Sequence, residues 1–359
     1  MPAPTQPPLI VTTATAGYGH WLRHLKANLR LFNLDKLLRV CAADSATMRL
    51  AASIGILTVL PQQSNHSLSA AQFNLPTSET PGTFMSASWK AAVHYKQHCV
   101  WTLLERLSPG AHLLLTDADV TFFQNPLPEL LPAPGLNATM IDDVTLLDDT
   151  TPRSPDRYLN SGFMLLRNTP ATRQFGRAFV TQLSRRRDDN DQAVFNDVLR
   201  QMSTTGPLAR MPHTSGGGRQ LAAAFSSKQG THATAAGKAA AKGGVKTSGA
   251  KAVSARTAAR HGGGLRVRAL DTRRFSNGFL FYEYRHKRKL NASALVAVHH
   301  NWISGDRNKW ERAVAYDTVV EEDTETARHF LKRARSSMTN MRAWQYRNRA
   351  HPGNRPSDR

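Results

Sequence analysis

Short apolar runs alternate along the chain with stretches in which apolar residues recur every three or four positions, a pattern that predicts strand followed by helix several times over. Residues 8–34, PLIVTTATAGYGHWLRHLKANLRLFNL, open on a β-branched run, turn at Ala16-Gly17, and continue with Trp21, Leu25, Leu29 and Phe32 at helical spacing. LLRVCAAD (37–44) reads as the next strand and SATMRLAASIGI (45–56) as the next helix. After a polar, Pro-rich loop from Pro61 to Pro81 comes a long helix within 84–110, striped by Trp89, Val93, Val100, Leu103, Leu104 and Leu107 and stopped by Ser108-Pro109-Gly110. AHLLLTDADV (111–120) and YLNSGFMLLRN (158–168) are further strands; ATRQFGRAFVTQLSRR (171–186) and NDQAVFNDVLRQM (190–202) are amphipathic helices. The strands are apolar almost throughout, so both their faces should be covered. The expectation is an α/β fold with a mostly parallel, Rossmann-like sheet flanked by helices.

Composition changes this picture in one region. From His213 to Gly264 the chain is mostly Ala, Gly, Ser, Thr, Lys and Arg, with eight Lys or Arg and no acid. Little there offsets the entropy of ordering, so a disordered basic insertion is expected. The organisation read from the chain is a tail over 1–8, a core over 9–212, the insertion over 213–264, a second part of the core over 265–326, and a basic tail over 327–359. The formal net charge is +21, and the insertion and C-terminal tail together carry sixteen of those charges. The core is therefore only mildly basic, and with no helix-turn-helix, zinc-finger or RNP-like pattern a nucleic-acid partner is not expected.

Two cysteines, Cys41 and Cys99, exclude a disulfide scaffold and leave the redox compartment open. No run approaches the ~18 consecutive apolar residues of a membrane span. The first residues lack the charged and apolar regions of a signal peptide, so the expectation is a chain soluble as it stands or one preceded by an anchor.

Asp117 and Asp119 stand two residues apart where LLLTDADV should be ending. If the strand persists, both side chains leave on one face, at the end of the sheet where ligands bind. Neighbouring carboxylates resist ionising together unless a cation compensates them. A hard divalent ion such as Mg2+ or Mn2+ takes oxygen ligands and keeps sites open for phosphate. The pair reads either as a metal–diphosphate clamp or as the end of a strand and the start of a turn. Asn160-Ser161-Gly162, placed before a buried strand, offers close backbone approach at Gly162 and a hydrogen bond from Asn160 to a ligand hydroxyl, or an ordinary turn. Asp191 and Gln192 are site residues, or Asn190 or Asp191 is simply the cap of the helix that follows. VHHNWISGDRNKW (298–310) brings His299, His300, Asn301, Gly305 and Lys309 together beyond an apolar strand. A His can complete a metal site and a Lys can neutralise a departing phosphate, although a His–His pair is also a common structural feature.

In this order LIVTTATAGY, LLLTDADVTFFQNPL, LNSGFMLLRNT, DQAVFNDVL, FSNGFLFYEY and VHHNWISGDRNKW resemble the nucleotide-diphospho-sugar transferase domain of plant and algal glycosyltransferases. That group includes the rhamnogalacturonan xylosyltransferases and extensin arabinosyltransferases. The resemblance spans about Leu9 to Tyr316. It implies a GT-A-like fold, a nucleoside-diphosphate sugar donor (usually a UDP-sugar), a glycan or glycoprotein acceptor, retention of configuration, and Mn2+ or Mg2+ held at the D-x-D pair. Carried over residue by residue, Asp117, Asp119 and His299 would hold the metal. Thr13 and Tyr18 would lie near the base, and Asn160, Gly162, Asp191 and Gln192 would line the sugar pocket. Gly305 and Lys309 would embrace the diphosphate, with Asp191, Gln192 and Lys309 as the catalytic candidates. The Golgi lumen is the compartment the resemblance implies. Three readings stay open beside it: an inactive relative that binds a partner, a basic polymer-binding protein with steep salt dependence, and a metal-dependent phosphohydrolase acting on simple esters.

Overall fold

A computed structural model of the chain describes residues 7–59, 85–132, 142–150, 158–205, 264–284, 294–301, 306–315 and 318–320. The C-terminal tail, the N-terminal tail apart from Pro7 and Pro8, and the insertion apart from Gly264 lie outside these residues.

The strands are β1 (Leu9–Ala14), β2 (Leu38–Ala42), β3 (Leu57–Val59), β4 (His112–Thr116), β5 (Val120–Phe122), β6 (Val144–Asp148), β7 (Leu159–Arg167), β8 (Ser203–Thr205), β9 (Leu265–Ala269), β10 (Phe275–Asn277) and β11 (Ala297–His299). The helices are α1 (Gly19–Arg30), α2 (Ser45–Ser53), α3 (Ala87–Arg106), α4 (Leu127–Leu130), α5 (Pro170–Arg185), α6 (Asp191–Met202) and α7 (Asp306–Ala315). Eight strands form one sheet in the order β3-β2-β1-β4-β7-β6-β9-β8, and β10-β11-β5 form a second. This is the expected α/β architecture with a mostly parallel sheet. Every pairing in the large sheet is parallel except the two that β7 makes. The reason is length: the link from β6 to β7, residues 149–158, is too short for the crossover that a parallel return needs.

Both faces of the sheet are apolar, as the strand sequences predict. Val11, Leu113, Leu115, Met164 and Leu166 point to one side, where Trp101 and Leu104 of α3, Phe175 and Phe179 of α5, and Phe195 of α6 cover them. Ile10, Leu114, Phe163 and Leu165 point to the other, under Leu22, Leu25 and Leu29 of α1 and Ala51 of α2. The alternation along β1, β4 and β7 follows the strand period of two, and each fully buried Leu or Phe contributes roughly 1.5–3 kcal/mol. Helix ends follow local chemistry: Asp44, Ser86 and Thr169 cap α2, α3 and α5 by accepting from Thr47, Trp89 and Thr172 N–H groups. Phe32, expected in the stripe of α1, lies just beyond that helix.

Asn28 of α1 docks the small sheet. Its amide donates to the Phe122 carbonyl oxygen (2.9 Å) and accepts from the Phe122 N–H (2.7 Å), as a neighbouring strand would. Cys41 of β2 and Cys99 of α3, both fully buried, form a disulfide with Cα atoms 6.3 Å apart. No helix among the described residues is long and apolar enough to cross a membrane.

Two outcomes follow for stability. The disulfide closes a loop of 58 residues, which in the chain-entropy account is worth about 4 kcal/mol. Reduction should accordingly lower the melting temperature well below that of the oxidised protein in calorimetry. Burial pushes His24, His98 and His112 down to about 4. They are neutral in the fold and protonated when unfolded between that value and about 6.5. Unfolding then takes up protons, so stability should fall as pH drops from about 6.5 to 4, a trend thermal melts across that window would check.

Candidate active site

β4 ends at Thr116 and β5 begins at Val120, so the strand does not persist through Asp117 and Asp119. The expectation that strand alternation brings these side chains to one face is corrected; a turn between the two sheets does so instead. Its backbone is fixed on both sides. The Asp117 N–H donates to the Gly162 carbonyl oxygen (2.6 Å), and the Asp119 carbonyl oxygen accepts from the His300 N–H (2.9 Å). β5 pairs antiparallel with β11, Val120 opposite His299, which delivers the His299 ring to the turn. His299 Nε2 lies 3.2 Å from Asp119 Oδ1 and 3.6 Å from Asp117 Oδ2. One donor atom from each of the three residues falls within 4.8 Å of the others.

Lysines hold the remaining carboxylate oxygens. Lys96 Nζ of α3 is 3.0 Å from Asp117 Oδ1, and Lys309 Nζ of α7 is 2.7 Å from Asp119 Oδ2. Burial alone would raise the Asp119 pKa, but Lys309 and His299 outweigh it and hold the carboxyl well below the usual range. His299 and Lys309 shift the other way: burial disfavours their protonated forms, and the neighbouring Asp119 overrides it and raises both. Two carboxylate oxygens and one imidazole nitrogen turned to a common point fit a hard divalent cation. His299 Nδ1 is buried and has no hydrogen-bond partner among the described residues.

Asn160, Ser161 and Gly162 lie inside β7, not before a strand as the sequence suggests. They fall where the β6–β7 register breaks, between the pairs Leu146–Met164 and Asp148–Leu159. A bulge of this kind re-aims side chains beside a site. Gly162 is required by its neighbour: a Cβ there would sit 2.0 Å from Asp117 Oδ2. The close approach expected at Gly162 is made, and it is made to the Asp117 carboxylate.

Asp191 and Gln192, adjacent at the start of α6, go different ways. Asp191 is buried, accepting from Gln97 Nε2 (2.8 Å) and Ser161 Oγ (3.0 Å) with Lys96 Nζ 3.8 Å away. Neither is the cap of α6: the side chain of Asn190 accepts from the Gln192 N–H. Gln192 is half-buried and joins Asn160 and Asp149. Thr13 and Tyr18 stand at the carboxyl end of β1, next to β4. The Thr13 hydroxyl is buried without a partner among the described residues. Burial raises the Tyr18 pKa to about 12, with Lys309, Asp119 and Asp306 acting on it by charge. Gly305 lies outside the described residues. Lys309 is brought in because α7 docks on α1: Trp21 Nε1 donates to Asp306 Oδ1 (2.7 Å), and Trp21 meets Trp310 edge-on with centroids 5.0 Å apart.

Lys96, Gln97 and Asp149 are part of this arrangement although no motif singles them out, and Ser161, inside the Asn160–Gly162 motif, is given no role by it. Lys96 and Gln97 left a trace: the apolar stripe of α3 lapses between Val93 and Val100, yet His94, Lys96, Gln97 and His98 are all buried there. Asp149, in an acidic loop, left none.

Residues 34–313 match the family of nucleotide-diphospho-sugar transferases. No curated protein matches the chain. Among solved structures, galactosyltransferase LgtC in complex with donor and acceptor sugar analogs is similar at 14% identity and a TM-score of 0.37, over 88% of this chain and 99% of that one. Mouse xyloside xylosyltransferase 1 in its apo form is similar at 12% identity and a TM-score of 0.38, over 84% and 98%. Likenesses this distant carry no argument about activity, and the family match stands on its own.

The geometry at Gly162 gives a direct test. In Gly162→Ala the new methyl forces the Asp117 carboxylate aside, so Mn2+ affinity measured by calorimetry should fall by about tenfold or more, the scale of a disturbed ligand set. The circular dichroism spectrum should stay that of the wild type.

Proposed function

Because the chain belongs to the nucleotide-diphospho-sugar transferase family over residues 34–313, we propose that it transfers a sugar from a UDP-sugar to a glycan or glycoprotein acceptor, with Mn2+ or Mg2+ held by Asp117, Asp119 and His299. The observation that carries this reading is the meeting of those three donor groups, with Lys309 beside them, where the turn after β4 faces the end of β11.

Thr13 and Tyr18 are assigned to the base, Asn160 and Gly162 to the sugar, and Gly305 and Lys309 to the diphosphate. In the reaction the bond from the anomeric carbon to the diphosphate oxygen breaks with its electron pair leaving on that oxygen, while an acceptor hydroxyl oxygen bonds to the anomeric carbon and its proton passes to the departing diphosphate. The divalent ion, when bound, supplies positive charge to the leaving group. The Lys309 ammonium, kept protonated by Asp119, adds a second positive charge at short range. Gln192 is assigned to the anomeric centre, since its side chain is only half-buried. Asp191 works behind it, tying Ser161, Gln97 and Lys96 together from a buried position. The configuration is assigned as retained, on the family's pattern. The Golgi lumen is the proposed compartment, and the Cys41–Cys99 disulfide suits such an oxidising space.

The test is release of nucleoside diphosphate from a panel of UDP- and GDP-sugars, with Mn2+ and with chelator, in wild type and Asp119→Ala. One donor should turn over in a metal-dependent way, and Asp119→Ala should lower kcat/KM by about a hundredfold or more, as expected for a lost metal ligand. A folded wild type that binds Mn2+–UDP and releases nothing, with or without acceptor glycans, would overturn the transferase activity.

A further inference from the structure

Asp149 follows β6 and is 3% exposed, yet its carboxylate accepts from three amide side chains on three different elements. Asn160 Nδ2 of β7 donates to Oδ2 at 3.0 Å, and Gln192 Nε2 of α6 donates to the same oxygen at 3.0 Å. Asn301, two residues past His299, donates to Oδ1 at 2.9 Å and Oδ2 at 3.1 Å. Each amide is also held by its carbonyl end. Asn160 Oδ1 accepts from the Gly162 N–H (2.7 Å), Asn301 Oδ1 from the Gly278 N–H (2.9 Å), and Gln192 Oε1 from Asn160 Nδ2 (3.3 Å).

The chemistry at this point requires a carboxylate. Three NH2 groups converge, and an ionised Asp is acceptor-only, with about four lone-pair positions on two oxygens. An Asn in its place would have one oxygen, and its own NH2 would face the incoming donors. At least one neighbouring amide would have to turn or lose its bond. Asn160 and Asn301 are each fixed by a backbone N–H. Among the described residues the long side chain of Gln192 has only another side chain at its far end, so it is the member set free.

We propose that Asp149 is a positioning residue for sugar transfer: it fixes which end of the Gln192 amide meets the donor, and it joins Gln192 through Asn301 to the strand that carries His299. Asp149 touches neither donor nor metal in this role; it acts through Gln192. The inference rests on the transferase reading, since it assigns Asp149 a task in that reaction.

The experiment is a double-mutant cycle of Asp149→Asn with Gln192→Ala, read as consumption of the UDP-sugar that turns over in the donor panel. Asp149→Asn should lower kcat by about tenfold or more, the scale of a misplaced reacting group. KM for the donor and the affinity for Mn2+–UDP should stay within about twofold, because neither depends on Gln192 orientation. The double variant should be no slower than Gln192→Ala alone. A wild-type kcat in Asp149→Asn, or losses that multiply in the double variant, would overturn the proposal.

A second measurement needs no turnover. In protein labelled with 15N at glutamine, the NH2 pair that disappears in Gln192→Ala should exchange slowly with solvent in the wild type and rapidly in Asp149→Asn. Solvent-like exchange in the wild type overturns the positioning role even where Asp149→Asn does not fold. Slow exchange with no donor turned over sinks the transferase reading and leaves the Asp149 contacts standing.

Discussion

Two carboxylates two residues apart, with Asp119 only 5% exposed, set the constraint on which the surrounding structure depends. Like charges this close cannot both ionise in a poorly solvated place without compensation. The chain answers by bringing positive groups from three distant segments: Lys96 from α3, His299 from β11 and Lys309 from α7. Each needs its own scaffold. α3 is held by the core on one face of the sheet and by Cys99; β11 is held by pairing with β5; α7 is held on α1 by Trp21, Asp306 and Trp310.

That constraint also explains the irregular parts of the fold. β4 has to stop at Thr116 so that the chain can leave the large sheet, turn through the two aspartates and enter the small one. The bulge in β7 lifts Asn160–Gly162 under the turn, and a residue without a side chain is needed where the Asp117 carboxylate comes down. Regular secondary structure builds the floor of the site. The two aspartates and the room for them come from places where it breaks, while Lys96, His299 and Lys309 reach them from α3, β11 and α7.

Four of the eight strands of the large sheet, β1, β2, β4 and β7, were legible in the sequence because they are apolar on both faces and their helices keep a clear stripe: Val11 beside Ile10 and Leu113 beside Leu114 divide between two cores. β3, β6, β8 and β9 were not marked by the pattern. The D-x-D pair, His299 and Lys309 were legible because their residue types stand out at the ends of apolar runs. What was not legible depends on residues far apart in the chain. That β7 runs against its neighbours follows from the short link after β6, whose boundaries the pattern does not mark. Lys96 is hidden in a helix whose stripe merely lapses, and its role appears only once Asp117 and Asp191 are beside it. Asp149 carries no local signal, because its partners at 160, 192 and 301 meet only in the fold.

The two carboxylate centres of the site are dressed differently, and the difference is physical. Asp117 and Asp119 face ammonium groups and an imidazole, partners whose positive charge a divalent cation can replace, while a diphosphate would compete with the carboxylates for the ammonium groups. Asp149 faces amides, which are neutral, directional and indifferent to the arrival of either charge. Both centres act on His299: Asp119 and Asp117 at contact distance, and Asp149 by its charge and through Asn301 on the same segment. Charge can therefore change hands at the aspartate pair while the amide network keeps its shape. A group that must keep its orientation while its surroundings change charge, the role proposed for Gln192, is better held by such a network than by an ion pair.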